Sequence, residues 1–392
     1  MINFQDITLK TFLSDYWQKK PLVIRNALPH FENPLSPDEL AGLALEEEIE
    51  SRIVWETPEA ETKWHLKRGP FTEKDFNSLP QTHSTLLVQG VDRLIPEVYE
   101  LLNHFDFIPQ WRVDDIMISF ATLNGSVGPH YDNYDVFLYQ AHGRREWSLT
   151  TQECNTDNYI KDLELRIMNR FVVEEKIMLE EGDMLYLPPH VGHYGISRSD
   201  ECMTYSFGYR SYQGQELWDS LGDYLSEKEV FKDLYQDPDW SDLDHTSEIT
   251  HPSWNSARTL LQKLLNDEKT MSSWFGCFAT RLDQQSEHQL PMPLEDDELV
   301  DLSDFIQELE SGSNLIRDAS CRFAYIKTNE GLKLYINGCE WDTPDATPEL
   351  LELIANNRTL LNRQFIPYLN REQNQSLLFG LWQLQWLQIE ES

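Results

Sequence analysis

The chain has 392 residues, of which 40% are hydrophobic, 12% aromatic and 25% charged. That composition can bury a sizeable core, and at about 150 residues per domain the length suits two or three domains. Its 32 basic residues stand against 67 acidic ones, a formal charge of −35, which argues against a phosphate-backbone partner and fits either a basic protein partner or plain solubility.

No apolar run approaches the ~18 residues of a membrane span. The opening Met1-Ile2-Asn3-Phe4-Gln5-Asp6 has no basic start and no apolar core, so neither a span nor a secretory signal is predicted. The cysteines (Cys154, Cys202, Cys277, Cys321 and Cys339) are scattered without a C-x-x-C pair. They read as thiols of a reducing, cytoplasmic compartment rather than a disulfide or thiolate-zinc scaffold.

Along the chain, Phe12 to Trp17 reads as a helix running into a strand at Leu22-Val23-Ile24. Ser36-Pro37-Asp38-Glu39 carries a capping box with proline at the first helical position. Apolar residues at 94, 95, 98, 101, 102 and 105 predict a helix from Leu94 to Phe105. From about 113 to 210 the period shortens. Met117–Phe120, Val136–Tyr139, Trp147–Leu149, Met184–Leu187 and Thr204–Phe207 are β runs, separated by Asn124-Gly125, His142-Gly143, Gly182-Asp183 and Pro188-Pro189. Many short strands at this spacing predict a small barrel or sandwich.

After Arg210 the strands stop. Leu217, Trp218, Leu221, Tyr224 and Leu225 form one helical stripe, and Leu260, Leu261, Leu264 and Leu265 another. Such stripes predict an association module, a homodimer interface, with packing inside their own domain as the alternative. A proline-marked linker, Leu290 to Leu294, opens a last unit: helix 299–309, hairpin 321–326 and 332–336, helix 348–361 and helix 376–389. This has a winged-helix outline, but residues 281–392 hold 8 basic against 20 acidic side chains, so direct DNA binding is not expected.

The chemistry concentrates in Gly128-Pro129-His130-Tyr131-Asp132. On a strand, His-x-Asp puts both side chains on one face, supplying two of the three ligands of a facial triad for Fe(II). A third would come from a later strand, and His193 in Pro188-Pro189-His190-Val191-Gly192-His193 follows one. His190 is a rival, read as a surface residue. A second copy, His104-Phe105-Asp106, ends the predicted 94–105 helix, where a histidine would favour the dipole and the two side chains would diverge. In Arg144-Arg145-Glu146-Trp147, alternation puts Arg145, Trp147 and Leu149 on the interior face. An inward arginine needs a carboxylate, either a bidentate ligand or an internal partner such as Asp135 or Asp183. Ser119 could add a second hydrogen bond. No G-x-S-x-G elbow, Walker loop or G-x-G-x-x-G is present.

With these residues in place the chain resembles the bacterial JmjC-type ribosomal oxygenases, cupin-fold enzymes that hydroxylate an arginine of a large-subunit ribosomal protein. The resemblance covers nearly the whole chain. It rests on Tyr16–Ile24, Leu35–Ala44, Trp111–Phe120, Val127–His130, Tyr134–Phe137, Gly143-Arg144-Arg145 and Tyr186–Pro189. The resemblance implies an α+β chain with a double-stranded β-helix (cupin/JmjC) core over 1–212, a helical dimerisation domain over 213–280 and a winged-helix C-terminal domain over 281–392. It implies Fe(II) on His130, Asp132 and His193, with 2-oxoglutarate on Arg145 beside Ser119, O2 as oxidant, and Asp115 and Tyr134 gripping the substrate arginine. Two departures stand out, the polar Asn124-Gly125-Ser126 loop and the extra His190. The alternatives are a histidine or lysine target on another basic protein, or a non-catalytic dimeric protein that contacts the ribosome.

Overall fold

Strand alternation and turn residues organise the N-terminal half. The computed structural model describes residues 1–60, 63–241, 245–295, 300–329, 331–343 and 345–390, grouped into two units, Met1–Ser211 and Tyr212–Ser392. The first contains β1 Leu22–Ile24, β2 Ser51–Glu56, β3 Trp64–Arg68, β4 Ser84–Val88, β5 Val113–Ala121 and β6 His130–Tyr131. It continues with β7 Asp135–His142, β8 Arg145–Thr150, β9 Glu175–Leu179, β10 Met184–Leu187, β11 Gly192–Ser197 and β12 Cys202–Tyr209. An eight-stranded sheet runs β1-β10-β7-β12-β5-β4-β2-β3 and a four-stranded sheet runs β6-β11-β8-β9. From β5 to β12 the chain passes back and forth between them, giving a double-stranded β-helix. Every β run read from the sequence of this half falls in one of these strands, and β11 is where the chain re-enters a strand at His193; β2, β3, β4 and β9 were not read.

Alternation also divides the core. On the inner face Val136, Leu138, Leu185 and Leu187 of the large sheet meet Trp147, Leu149, Ile177 and Leu179 of the small one. The outer face of the large sheet is aromatic: Phe137 and Tyr186 pack on Phe12 from the N-terminal helix, and Phe207 lies 4.3 Å from Phe105. Burying each such side chain contributes roughly 1.5–3 kcal/mol. The β7–β8 turn needs Gly143, which has φ +69° and whose missing Cβ would collide with the Glu201 carbonyl.

The predicted capping box stands: helix Pro37–Leu43 starts at Ser36, with Glu39 bonded back to it. The predicted 94–105 helix is shorter. Ile95, held extended by Pro96 (φ −124°, ψ 109°), delays the start. The α-helix then covers only Pro96–Glu100 before tightening into a 3₁₀ turn at Leu101–Phe105. His104 does not act as a helix-end cation. Its Nδ1 lies 3.0 Å from the N-terminal ammonium, and burial, then that charge, lowers its pKa.

The second unit begins with helices Gly214–Lys228, His251–Leu265 and Glu268–Thr280. The stripe assigned to a dimer contact is mostly internal: Leu217, Leu221, Tyr224 and Leu225 pack with Met271, Trp274, Phe275 and Phe278 of the third helix. That third helix, whose apolar face was not read from the sequence, is the cover. Trp218 of that stripe and Leu261 and Leu265 of the second stripe stay exposed, as do Val230, Leu234, Tyr235, Trp240, Ile249 and Trp254.

Beyond them, helix Leu302–Ser311, a hairpin of Phe323–Thr328 and Gly331–Ile336, helix Pro348–Asn356 and helix Glu372–Gln383 surround one core. Leu299, the predicted start of the first of these helices, lies outside the described residues. The other two predicted helices overran their ends. Asn357 turns extended before strand Thr359–Leu360, and Gln385 takes φ 58° before strand Leu387–Ile389; both strands flank Leu315–Arg317.

Candidate metal centre

The two residues of β6 pair with β11 in the register His193↔His130 and Gly192↔Tyr131. Directly opposed residues of an antiparallel pair share a face, so the backbone sets the two imidazoles side by side, centroids 4.2 Å apart. Asp132 comes back to the same face, its Oδ2 3.6 Å from His193 Nε2. One ligand atom from each of His130, Asp132 and His193 lies within 4.8 Å of the others, the one such cluster among the described residues.

The ring orientations are fixed locally. His130 Nδ1 is 3.0 Å from the Gly128 carbonyl and His193 Nδ1 is 3.0 Å from the Val191 carbonyl. A carbonyl can only accept, so each Nδ1 carries a proton and each Nε2 is left as the ligand atom. Burial, then the neighbouring His130, pushes the pKa of His193 down to about 4, so this ring is neutral at pH 7. Its bare Nε2 lone pair therefore faces a carboxylate oxygen, an arrangement that repels unless a cation lies between them. Two imidazoles and one carboxylate on one face form the donor set of non-haem Fe(II), with coordination positions to spare.

Further along the same interior face stands Arg145, 3% exposed, with Trp147 at 6% on the same side of β8. Neither suggested internal partner reaches it. Asp135 accepts from the Tyr186 hydroxyl at 2.6 Å and from Gln18, and lies near Arg112, while Asp183 is paired with Arg25 at 2.5 Å. Arg145 Nε and one terminal nitrogen, and Trp147 Nε1, are buried with no hydrogen-bond partner. A buried guanidinium without a partner is strongly unfavourable, so this end of the barrel suits an anionic ligand.

Ser119 is buried beside Thr204, its cross-strand neighbour, and donates to the Thr204 carbonyl at 3.4 Å. Thr204 in turn donates to Gln140 Oε1 at 3.3 Å, which adds a polar layer to the barrel interior. Gln140, Thr204 and the Trp147 N–H were missed in the sequence; the available signal was parity within a strand, Gln140 with Val136 and Leu138 and Trp147 with Arg145, while Thr204 is placed only by its register with Ser119 and Gln140.

Asp115 and Tyr134 occupy different settings. Asp115 shares the inward parity of Ser119, is 6% exposed, and its Oδ2 accepts from Gln89 Nε2 at 2.7 Å and the Gly90 N–H at 2.8 Å. Burial, then the charges of Asp114 and Asp92, raises its pKa to about 7. Tyr134 is 42% exposed, and chiefly the charge of Asp132 holds its phenol well above the usual range. His190 stays outside the cluster: exposed and in the left-handed region (φ 62°), it donates its backbone N–H to the Asp132 carbonyl at 2.8 Å.

Residues 100–217 match the JmjC domain model and residues 263–388 the ROXA-like winged helix. The ribosomal protein uL16 3-hydroxylase of Escherichia coli (strain K12) is 34% identical over 90% of this chain and 90% of its own. This chain belongs to the JmjC ribosomal oxygenases. A probable ribosomal oxygenase of Haemophilus influenzae is likewise 34% identical to it, over 86% of this chain and 82% of the relative. The X-ray structure of E. coli ycfD superposes with a TM-score of 0.88 at 30% identity, covering 99% of this oxygenase and 100% of that chain. The structure of YcfD in complex with cobalt and 2-oxoglutarate gives 0.84 at 30% identity, with both chains covered in full.

Proposed function

We propose that this oxygenase is an Fe(II)- and 2-oxoglutarate-dependent hydroxylase of an arginine side chain in a basic large-subunit ribosomal protein. The observation that carries the reading is the His130/Asp132/His193 cluster sharing one barrel interior with the partnerless guanidinium of Arg145. His130, Asp132 and His193 would hold the iron; Arg145, with Ser119, would hold the distal carboxylate of 2-oxoglutarate. Bound there, iron with 2-oxoglutarate and O2 supplies the power to hydroxylate an unactivated C–H bond.

The protein's own residues position and exclude. The two backbone carbonyls hold the histidine rings with Nε2 inward, and the apolar wall of Val136, Leu138, Leu149 and Leu187 keeps water from the reacting centre. Asp115 and Tyr134 would grip the target, the acid facing the guanidinium and the ring its stem. An incoming guanidinium stabilises the ionised form of Asp115, which burial disfavours. The −35 charge draws a basic substrate to the cleft.

The helical segment 213–280 is proposed to form a homodimer between the catalytic part, 1–212, and the winged-helix part, 281–392. Trp254, Leu261 and Leu265 are more than 40% exposed on one helix, with Trp218 at 52% on another. Leu261→Arg should yield monomers by light scattering with an unchanged melting temperature, whereas a monomeric wild type at micromolar concentration would remove the dimer. A cytoplasmic location is proposed with it, on the ground of a ribosomal substrate.

Succinate formation tests the enzyme directly. Iron-loaded protein should release succinate from 2-oxoglutarate faster when a basic arginine-containing ribosomal peptide is added. No peptide-stimulated succinate under reducing conditions would favour the non-catalytic scaffold.

A further inference from the structure

Trp147 carries a donor that the fold leaves unused. Its side chain is 6% exposed, yet Nε1 has neither accessible surface nor an acceptor. Buried tryptophans usually satisfy this group. The strand places it in a telling position: Leu149 is registered opposite His193, Trp147 opposite Gly195, and Arg145 opposite Ser197. Trp147 therefore stands midway between the level of the histidine cluster and that of the orphan guanidinium. Its ring centroid is 5.7 Å from the His193 ring, and the Arg145 guanidinium carbon is 5.7 Å from the indole.

The indole has a prepared seat. A Cβ on Gly195 would lie 2.6 Å from Cζ3, 2.7 Å from Cη2 and 2.8 Å from Cε3, so glycine is what lets the benzo edge lie against β11. The opposite edge, which carries Nε1, is turned away from that strand. Two groups on one face of β8 thus offer buried, unmet hydrogen-bond donors, and no carboxylate of the described residues answers either. A dicarboxylate lying between the cluster and Arg145 has oxygens enough for both.

We propose that Trp147 is a cosubstrate-binding residue whose indole N–H donates a hydrogen bond to a carboxylate oxygen of 2-oxoglutarate, with Gly195 required to seat the ring. This rests on the functional reading above and adds a ligand contact to it. Trp147→Phe keeps an aromatic wall and removes the donor together with part of the ring that sits on Gly195.

The test uses the full chain loaded with Zn(II), which binds without turnover, and calorimetric titration with 2-oxoglutarate. Trp147→Phe should bind it roughly tenfold more weakly, the worth of one hydrogen bond to a charged group, with Zn(II) affinity unchanged. In wild-type protein labelled with 15N-tryptophan, one of the 12 indole N–H signals should be protected from exchange and move downfield on adding 2-oxoglutarate. That spectrum decides the matter even if Trp147→Phe fails to fold. Equal affinities, or no indole shift while wild type binds 2-oxoglutarate, would overturn the assignment and leave the hydroxylase reading intact. Wild type that binds Zn(II) but no 2-oxoglutarate would remove both.

Discussion

His104-Phe105-Asp106 and His130-Tyr131-Asp132 share one pattern on two backbones. In the 3₁₀ turn at 101–105 successive residues rotate by about 120°, so the histidine and the aspartate diverge. His104 meets the N-terminus, and Asp106 accepts from Gln110 at 3.3 Å. His130 and Tyr131 are a strand whose register with β11 sets His193 beside His130, and Asp132, just past its end, meets both at the same point. A ligand pattern acquires its meaning from the period of the backbone beneath it and from what the neighbouring strand delivers.

Breaking the strand copy should have the largest effect. Asp132→Ala removes the cluster's one carboxylate, and turnover and iron retention should both be lost in a metal-content and succinate assay. Wild-type activity would move the metal elsewhere. Arg145→Ala comes next, raising the 2-oxoglutarate requirement by about 100-fold, the loss of charge-assisted bonds worth ~3 kcal/mol, while metal content stays the same. If iron binding collapses as well, Arg145 is a structural residue.

Asp115 gives a smaller effect, read through pH. Its carboxyl titrates near 7 in the fold and near ~4 when unfolded. Between those values the folded state binds more protons, so stability should fall as pH rises from about 4 to about 7. Urea melts of wild type and Asp115→Asn should show that slope in the former and its flattening in the latter. Equal slopes would mean that Asp115 is ionised throughout. The smallest effect belongs to the helical copy: Asp106→Ala should change activity negligibly and stability by about 0.5 kcal/mol or less, as for a surface substitution. A loss of iron in this variant would reverse the comparison.

Much of this was legible in the sequence because it obeys a period. The inward parity of Arg145, Trp147 and Leu149 follows from alternation alone, and the break at Asn124-Gly125 isolates the His130 strand. What was not legible depends on partners distant in sequence. Leu221 reads as an interface residue until the helix at 268–280 supplies Trp274 and Phe278 to cover it. The last helix reads through to Ile389 because Gln385, which turns left-handed at φ 58°, is not a residue that announces a turn. In the site, Gln140 and Thr204 look like strand polarity until β7, β12 and β5 are laid side by side.

This cleft is expected to oxidise one side chain of a ribosomal protein. Intact-mass analysis of ribosomal proteins from cells with and without the gene addresses it most directly. One large-subunit protein should be heavier by a single oxygen atom when the gene is present, with fragmentation placing that atom on an arginine. Identical masses across all ribosomal proteins would contradict it.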